Sequence, residues 1–386
     1  MRAKTVSINH ENSYQAGRQA ALELIEELAA PDLVMMFANS RHEPQGVLDG
    51  VWSVLAPTTR LVGCSSYAEI GAQDASIGSV TLMGIEFAEI EWQIFKLDAV
   101  GDSSVEAGRR LATQMLDFEP RLVVALPDLK TNSIQMIRAM REVLDPSCPI
   151  IGGVASEQLE FTRTWEFFDR EVIEGGIVAL ALRGPLRVVT VARAGFQPLG
   201  ATRTCTRVED GKLILELDGR SALDIYKEML GPDVATRTNI GIEFPLAVIQ
   251  RSPSGDYMAS DERSQVIRVV RQLDEERGAL LCAGDIEEGV KIRMTRGVKE
   301  DLIAAAKQAI ESGIAAMPDA QLAFLFNCAG RKLVLGARYR DEIAAAFSVL
   351  GEVPRIGFYT YGELAPVDGT NMYHDETFTL ALVGTQ

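Results

Sequence analysis

The chain has 386 residues, 47% of them hydrophobic and 24% charged, with a formal net charge of −16 and five cysteines. That length predicts two or three domains, and that composition excludes a disordered or fibrous protein. The acidic balance excludes a nucleic-acid partner, which needs clustered Lys and Arg, and scattered cysteines without a CxxC pair exclude a zinc or disulfide framework.

The N-terminus, "MRAKTVSINHENSYQAG", turns polar at once, and the longest apolar runs fall short of the roughly 20 residues that span a membrane. A cytoplasmic protein with no membrane partner is expected. From Asp32 the chain reads strand, helix, strand: "DLVMMFANSR", "VLDGVWSVLAP", then "RLVGCSSYAEIG" from Arg60, followed by the apolar strand "SVTLMGIEF". A fainter copy follows: "RLVVALPD" from Arg121, the helical "SIQMIRAMREVLDP", "PIIGGVASE" from Pro149, and "GIVALALRGP".

The stretch Arg193–Leu230 reads as strand, turn, strand and helix, with turn signals at Pro198-Leu199-Gly200 and Asp210-Gly211. A domain boundary near residue 200 is expected, dividing the chain into 1–200 and 201–386. Three β-like runs, "VIRVVRQLD", "GALLCAGD" and "VKIRMTR", suggest an antiparallel meander, and "VKEDLIAAAKQAIESG" a helix stopped by Gly313. The last copy is the clearest: "QLAFLFNCAGR" from Gln321, "DEIAAAFSVLGEVP", "RIGFYTYGELAP" from Arg355, and "TFTLALVGT". The expected class is α/β (α+β), in two related halves with mixed sheets built from repeated strand-helix-strand units.

Glycine, hydroxyl, Tyr and Glu recur in step in "GCSSYAE" and "GFYTYGE", just past the carboxyl end of a strand, where ligands collect in such units. Cys64, Ser65, Ser66, Tyr67 and Glu69 from the first copy, and Tyr359, Thr360, Tyr361 and Glu363 from the last, are therefore candidate ligand contacts. In the middle copy Ser156-Glu157 keeps a hydroxyl beside a carboxylate. Asn327, Cys328 and Arg331 of "NCAGR" share the last copy's rim, where an Arg clamps a carboxylate well; Arg41 is the counterpart in the first copy.

No Walker loop, G-x-G-x-x-G, G-x-S-x-G or H-E-x-x-H occurs, and an enzyme is not expected. The rival reading is a hydrolase or transferase using Cys64 or Cys328, and a third is a scaffold that binds only protein. His374 is the candidate iron ligand, with Asp375 or Glu376 orienting it, and His42 is a second.

Taken in order, "LVGCSSYAEIG", "IIGGVASE", "LELDGRSALDIYKEMLG", "LLCAGDIEEGVKIRM", "FNCAGR" and "RIGFYTYGELAP...HDETFTL" resemble the FIST proteins over almost the whole chain. The resemblance implies a bacterial signal-input module for small ligands such as amino acids, found alone or joined to histidine kinases, chemoreceptors and cyclic-di-GMP enzymes. Stand-alone members of the NosP type are haem-binding nitric-oxide sensors that regulate a partner histidine kinase. Two versions follow: a haem cofactor with nitric-oxide sensing in a two-component system, or an amino acid or other small metabolite as ligand. Because no kinase, receptor or cyclase segment follows Gln386, output through a separate histidine kinase or cyclic-di-GMP enzyme is expected.

Overall fold

Parallel strand pairs set the plan of this molecule, because a parallel pair requires a crossover and a helix supplies it each time. The computed structural model describes residues 1–231, 237, 239–249 and 265–386. The pairs are Leu33–Asn39 with Arg60–Ser66, Leu122–Pro127 with Ile150–Gly153, and Leu322–Cys328 with Arg355–Thr360. Their crossovers contain the helices Pro44–Trp52, Ser133–Arg141 and Tyr339–Leu350. An antiparallel strand lies beside each pair (Ser79–Glu86, Ile177–Arg183, Phe378–Thr385), and an outer strand beside that (Arg2–Asn9, Glu91–Leu97, Leu186–Arg193). The chain thus adopts the expected mixed α+β class, with three copies of one unit.

Each unit also gives a hairpin to the next sheet. The hairpin beginning at Glu69 pairs on Arg355–Thr360, the one beginning at Glu166 on Arg60–Ser66, and the one beginning at Glu363 on Ile150–Gly153. The exchange is cyclic, so on that side every sheet edge is covered by a neighbour's strand.

The strands read as unbroken apolar runs because both of their faces are buried. Inward faces meet in one shared centre, where Met35, Phe37, Val124, Leu180, Phe324 and Phe358 pack together. Phe37 and Phe358 lie 4.6 Å apart between ring centroids, which ties the first sheet to the third. Outward faces are covered by two helices each, and the helix pairs approach closely at glycines. A Cβ at Gly17 would stand 2.2 Å from the Val47 carbonyl oxygen, and one at Gly108 would stand 2.4 Å from that of Met136.

Three local expectations are corrected. Gly313 does not stop its helix, which runs from Lys299 to Ala316; it is buried where the helix crosses Leu380 and Leu382, and a Cβ there would meet Leu380 at 2.6 Å. Pro198-Leu199-Gly200 is no turn. It lies inside the long strand Gln197–Glu209, where Gly200 at φ +70° accompanies a shift of register between Leu199 and Arg203. The meander is also broken: Val270–Asp274 and Ala279–Cys282 form a hairpin, but Lys291–Arg296 pairs instead with Gln197–Glu209 and Leu246–Ile249. Asp210-Gly211 does turn, both with positive φ.

These last strands belong to an insertion in the third unit. The chain leaves the third sheet after Arg193 and returns to the unit at Lys299, having built a further sheet around Cys205, Tyr226, Leu246, Leu280 and Met294. No helix among the described residues is long and apolar enough to cross a membrane.

Gly17→Ala is expected to lower the free energy of unfolding by about 1–3 kcal/mol, because the intruded atom is backbone and cannot rotate away. Urea unfolding checks this, and an unchanged midpoint would show that the two helices separate freely.

Candidate functional site

The duplicated motif marks the corner where the three units meet. The Ser65 hydroxyl donates to the Ser156 carbonyl at 3.1 Å, and the Ser156 hydroxyl donates to the Tyr359 carbonyl at 2.5 Å. The Tyr67 amide donates to the Ser156 hydroxyl and the Tyr359 amide to the Ala68 carbonyl, so all three units are cross-tied. Thr360 donates through its hydroxyl to Val154 at 2.7 Å. Cys64, Ser65, Ser66, Tyr359 and Thr360 are all buried in this interlock.

Glu69 and Glu363 begin the exchanged hairpins, and each accepts a backbone N–H beyond its own hairpin, from Ser79 at 2.9 Å and Thr377 at 3.0 Å. The true counterpart in the second unit is Glu166, which faces Gly176 N–H at 3.4 Å; Glu157 is a different residue with a different task. The signal was obscured because residues 154–165 lengthen that loop, moving the carboxylate out of step with the glycine. Glu69 also takes Asn39, Ser66 and the Ser79 hydroxyl. Burial outweighs those donors and pushes its carboxyl from the ordinary 4.5 up to about 7.

Arg331 has no exposure. It pairs with Glu342 at 2.5 Å and donates to the carbonyls of Ala194, Leu302 and Glu376, while Asn327 donates to the other oxygen of Glu342. These bonds tie the start of the insertion to three helices, Lys299–Ala316, Ala329–Leu335 and Tyr339–Leu350. His374 is likewise interior: its Nε2 donates to the Ala365 carbonyl at 3.1 Å, and burial lowers its pKa to about 4, so the ring is neutral at pH 7. Tyr67 is half-buried beneath the Lys332 ammonium, 4.0 Å from the ring centroid.

An open space lies beside this corner rather than in it. A cavity of about 600 Å³ is walled by the second unit's loop 129–134, by Val154, Leu159 and Phe161, by residues 328–330 with Leu333, by Thr360 and Tyr361, by Tyr373, Asp375 and Glu376, and by the insertion. Of the candidate ligand contacts, it brings together Thr360 and Tyr361, with Cys328 beside them. Cys64, Ser65, Ser66, Tyr67, Glu69, Asn327, Arg331, Tyr359, Glu363 and His374 do not line it. Lys130, Lys212, Arg271 and Phe161 were missed by the motif reading; Asn132, which caps helix Ser133–Arg141 by accepting from Gln135, was legible as an N-cap after a strand.

Tyr361 organises the cavity wall. Its hydroxyl donates to the Glu157 carboxylate at 2.7 Å and accepts from the Leu159 amide, and Phe161 stacks on its ring at 4.6 Å. Glu157 in turn holds the amides of Glu160 and Phe161. The Arg271 guanidinium stands 5.0 Å over Phe161.

The FIST N domain matches residues 32–220 and the FIST C domain matches residues 222–366. The chain belongs to the FIST family. FIST domains are sensory signalling domains that bind small ligands. An uncharacterised protein of Mycobacterium bovis is 27% identical over 95% of both chains, and one of Methanocaldococcus jannaschii is 22% identical over 96% of this chain and 77% of its own. Among solved structures, a cyanuric acid hydrolase from A. caulinodans (9% identity, 100% of this chain and 99% of that one, TM-score 0.36) and a chorismatase (8%, 99% and 98%, TM-score 0.33) are similar over their whole lengths. Similarity at that level transfers neither fold nor chemistry.

In this FIST protein the histidine ligands expected for a haem iron do not stand at the cavity. None of the three histidines lines it: His374 sits within paired strands, His42 is bonded to Gly78, and His10 accepts from Asn12. Nor do the thiols suit nucleophilic chemistry, because burial, reinforced by neighbouring carboxylates, raises both Cys64 and Cys328.

Glu69 keeps its proton in the folded state up to about pH 7, whereas the unfolded chain loses it near 4.5. Stability from this group is therefore present at low pH and falls as pH rises through that window, by at most about 1.4 kcal/mol per unit. Urea midpoints measured from pH 4.5 to 8 are expected to fall more for the wild type than for Glu69→Gln; parallel curves would contradict the assignment.

Proposed function

We propose that this FIST protein is a sensor whose ligand, a small charged metabolite of amphipathic character, occupies the cavity between the second unit, the third unit and the insertion. The single observation behind this reading is that the cavity gathers opposite charges around an aromatic patch. Arg271 and the capped start of helix Ser133–Arg141 offer an anion site, flanked by Lys130 and Lys212, which stand 3.7 and 3.9 Å from Glu174 and Asp285; Asp375 and Glu376 offer acid, and Phe161, Tyr361 and Tyr373 offer flat apolar area. A volume of about 600 Å³ is of the size small-molecule sites have. An amino acid is the simplest molecule with all three features.

The narrower version, haem with nitric-oxide sensing, lacks a histidine at the cavity and is set below the metabolite version. The sensory role of the family supports a signalling output, for which we infer a partner in the cytoplasm, a histidine kinase or a cyclic-di-GMP enzyme. A ligand switches such a module only through unequal affinity for its two states. Three bodies of structure share the cavity wall, so their relative position is what a ligand would bias.

Titration with the twenty amino acids, followed by ligand-observed NMR, is expected to find binders whose affinity drops at least about tenfold in Arg271→Ala. No binder, or no effect of that change, would contradict the reading. Added haem is expected to give no Soret band that depends on His374; a band that moves with nitric oxide and vanishes in His374→Ala would restore the gas-sensor version.

A further inference from the structure

Two carboxyl groups on the cavity wall are not satisfied by the fold. Asp375 and Glu376 follow the strand Thr370–His374 and are 3% and 0% exposed. Successive residues of an extended strand face opposite ways, yet both of these line the same cavity. Glu376 breaks the alternation, with φ +53°, a left-handed conformation that costs a non-glycine residue energy. The Asp375 backbone is meanwhile fixed to the insertion by a bridge to Ile267.

Their hydrogen bonds are incomplete. Asp375 receives the Tyr373 hydroxyl on Oδ1 at 2.9 Å and has the Val269 amide beside its carboxyl, while Oδ2 has no well-formed hydrogen bond among the described residues. Glu376 has the Cys328 thiol 3.9 Å from Oε1, while Oε2 has no partner among the described residues. Buried polar atoms in folded proteins are nearly always paired, so two orphan carboxyl oxygens on one cavity wall call for a donor from outside the chain.

The nearby cations act on these carboxyls through space, Arg268 and Arg271 on Asp375 and Arg331 on Glu376, but among the described residues none of them bonds a side-chain oxygen of either. Arg268 donates to the carbonyls of Ile267, Tyr373 and Asp285, and Arg331 is paired with Glu342; Glu363 adds a third carboxyl to this corner. Arg271, on the insertion side, lies over Phe161. Glycine at 330 makes space for the carboxyl itself: a Cβ there would stand 1.6 Å from Oε1 of Glu376.

We propose that Asp375 and Glu376 form an ammonium subsite, in which the ligand's primary amine donates to Oδ2 and Oε2. An ammonium carries three donors and a positive charge, which meets both orphan oxygens with charge-assisted bonds. The proposal rests on the cavity being the ligand site, and it adds that a cationic amine is required of the ligand.

Three probes of one shape test it on the full chain: phenethylammonium, 2-phenylethanol and 3-phenylpropanoate, whose shared ring suits Phe161, Tyr361 and Tyr373. Ligand-observed NMR is expected to show the ammonium bound at least about tenfold tighter than the other two. In the isosteric variants Asp375→Asn and Glu376→Gln that preference is lost, while the alcohol binds as before. Should either variant fail to fold, the charge preference of the unmodified protein decides on its own. Equal binding of the three probes, or a preference that survives both substitutions, would overturn the subsite and leave the cavity reading in place. Failure of the ammonium to bind also overturns the subsite; the cavity reading falls with it only if no amino acid binds either.

Discussion

Three sheets can share one apolar centre only if their corners are locked, and the lock here is a short set of hydrogen bonds from Ser65 to Ser156 to Tyr359. Almost every other feature of the core follows from that constraint. The glycine ahead of the lock, Gly63 in the first unit and Gly357 in the third, lies against the carbonyl of its parallel partner at a distance no Cβ tolerates. The exchanged hairpins start immediately past the lock, and the carboxyl groups of Glu69, Glu166 and Glu363 fasten them to backbone N–H groups farther along the chain. One short phrase is written twice, and a third time in altered form, because the same corner has to be built three times.

The proposed ligand site lies where the repetition is broken. Two departures meet at the cavity: the lengthened loop 154–165 of the second unit, held by the Tyr361–Glu157 bond, and the insertion between Arg193 and Lys299 in the third. The first unit has neither. Its equivalent corner is closed by Lys332, packed between the rings of Tyr67 and Tyr339. Among the described residues the interlock and the cavity wall share Val154, Thr360 and Tyr361.

Much of the fold was legible in the residues. Apolar runs buried on both faces announce central strands, and the ordered copies announce units of one kind. What sequence could not show was distance between segments far apart in the chain. "YAE" and "YGE" look like a rim of ligand contacts because glycine, hydroxyl, Tyr and Glu suit a pocket and a structural junction equally well; only the bonds of Ser65, Ser66 and Glu69 distinguish the two. Gly313 looked like a helix stop because the pattern that ends a helix is also the one that lets a strand pack closely against it. Asp375 and Glu376 were visible beside His374, but their orphan oxygens emerge only once Gly330 and Cys328 are placed against them.

The most direct measurement is hydrogen exchange on the full chain, with and without a pooled extract of small metabolites. Exchange reports local opening, so bound ligand should protect the segments that wall its site. Protection is expected to be confined to residues 129–134, 154–161, 269–271 and 328–333, with 65–68 already slow and unchanged. Protection centred on 65–68, with the cavity segments unaffected, would place the ligand in the repeated corner and contradict the cavity site.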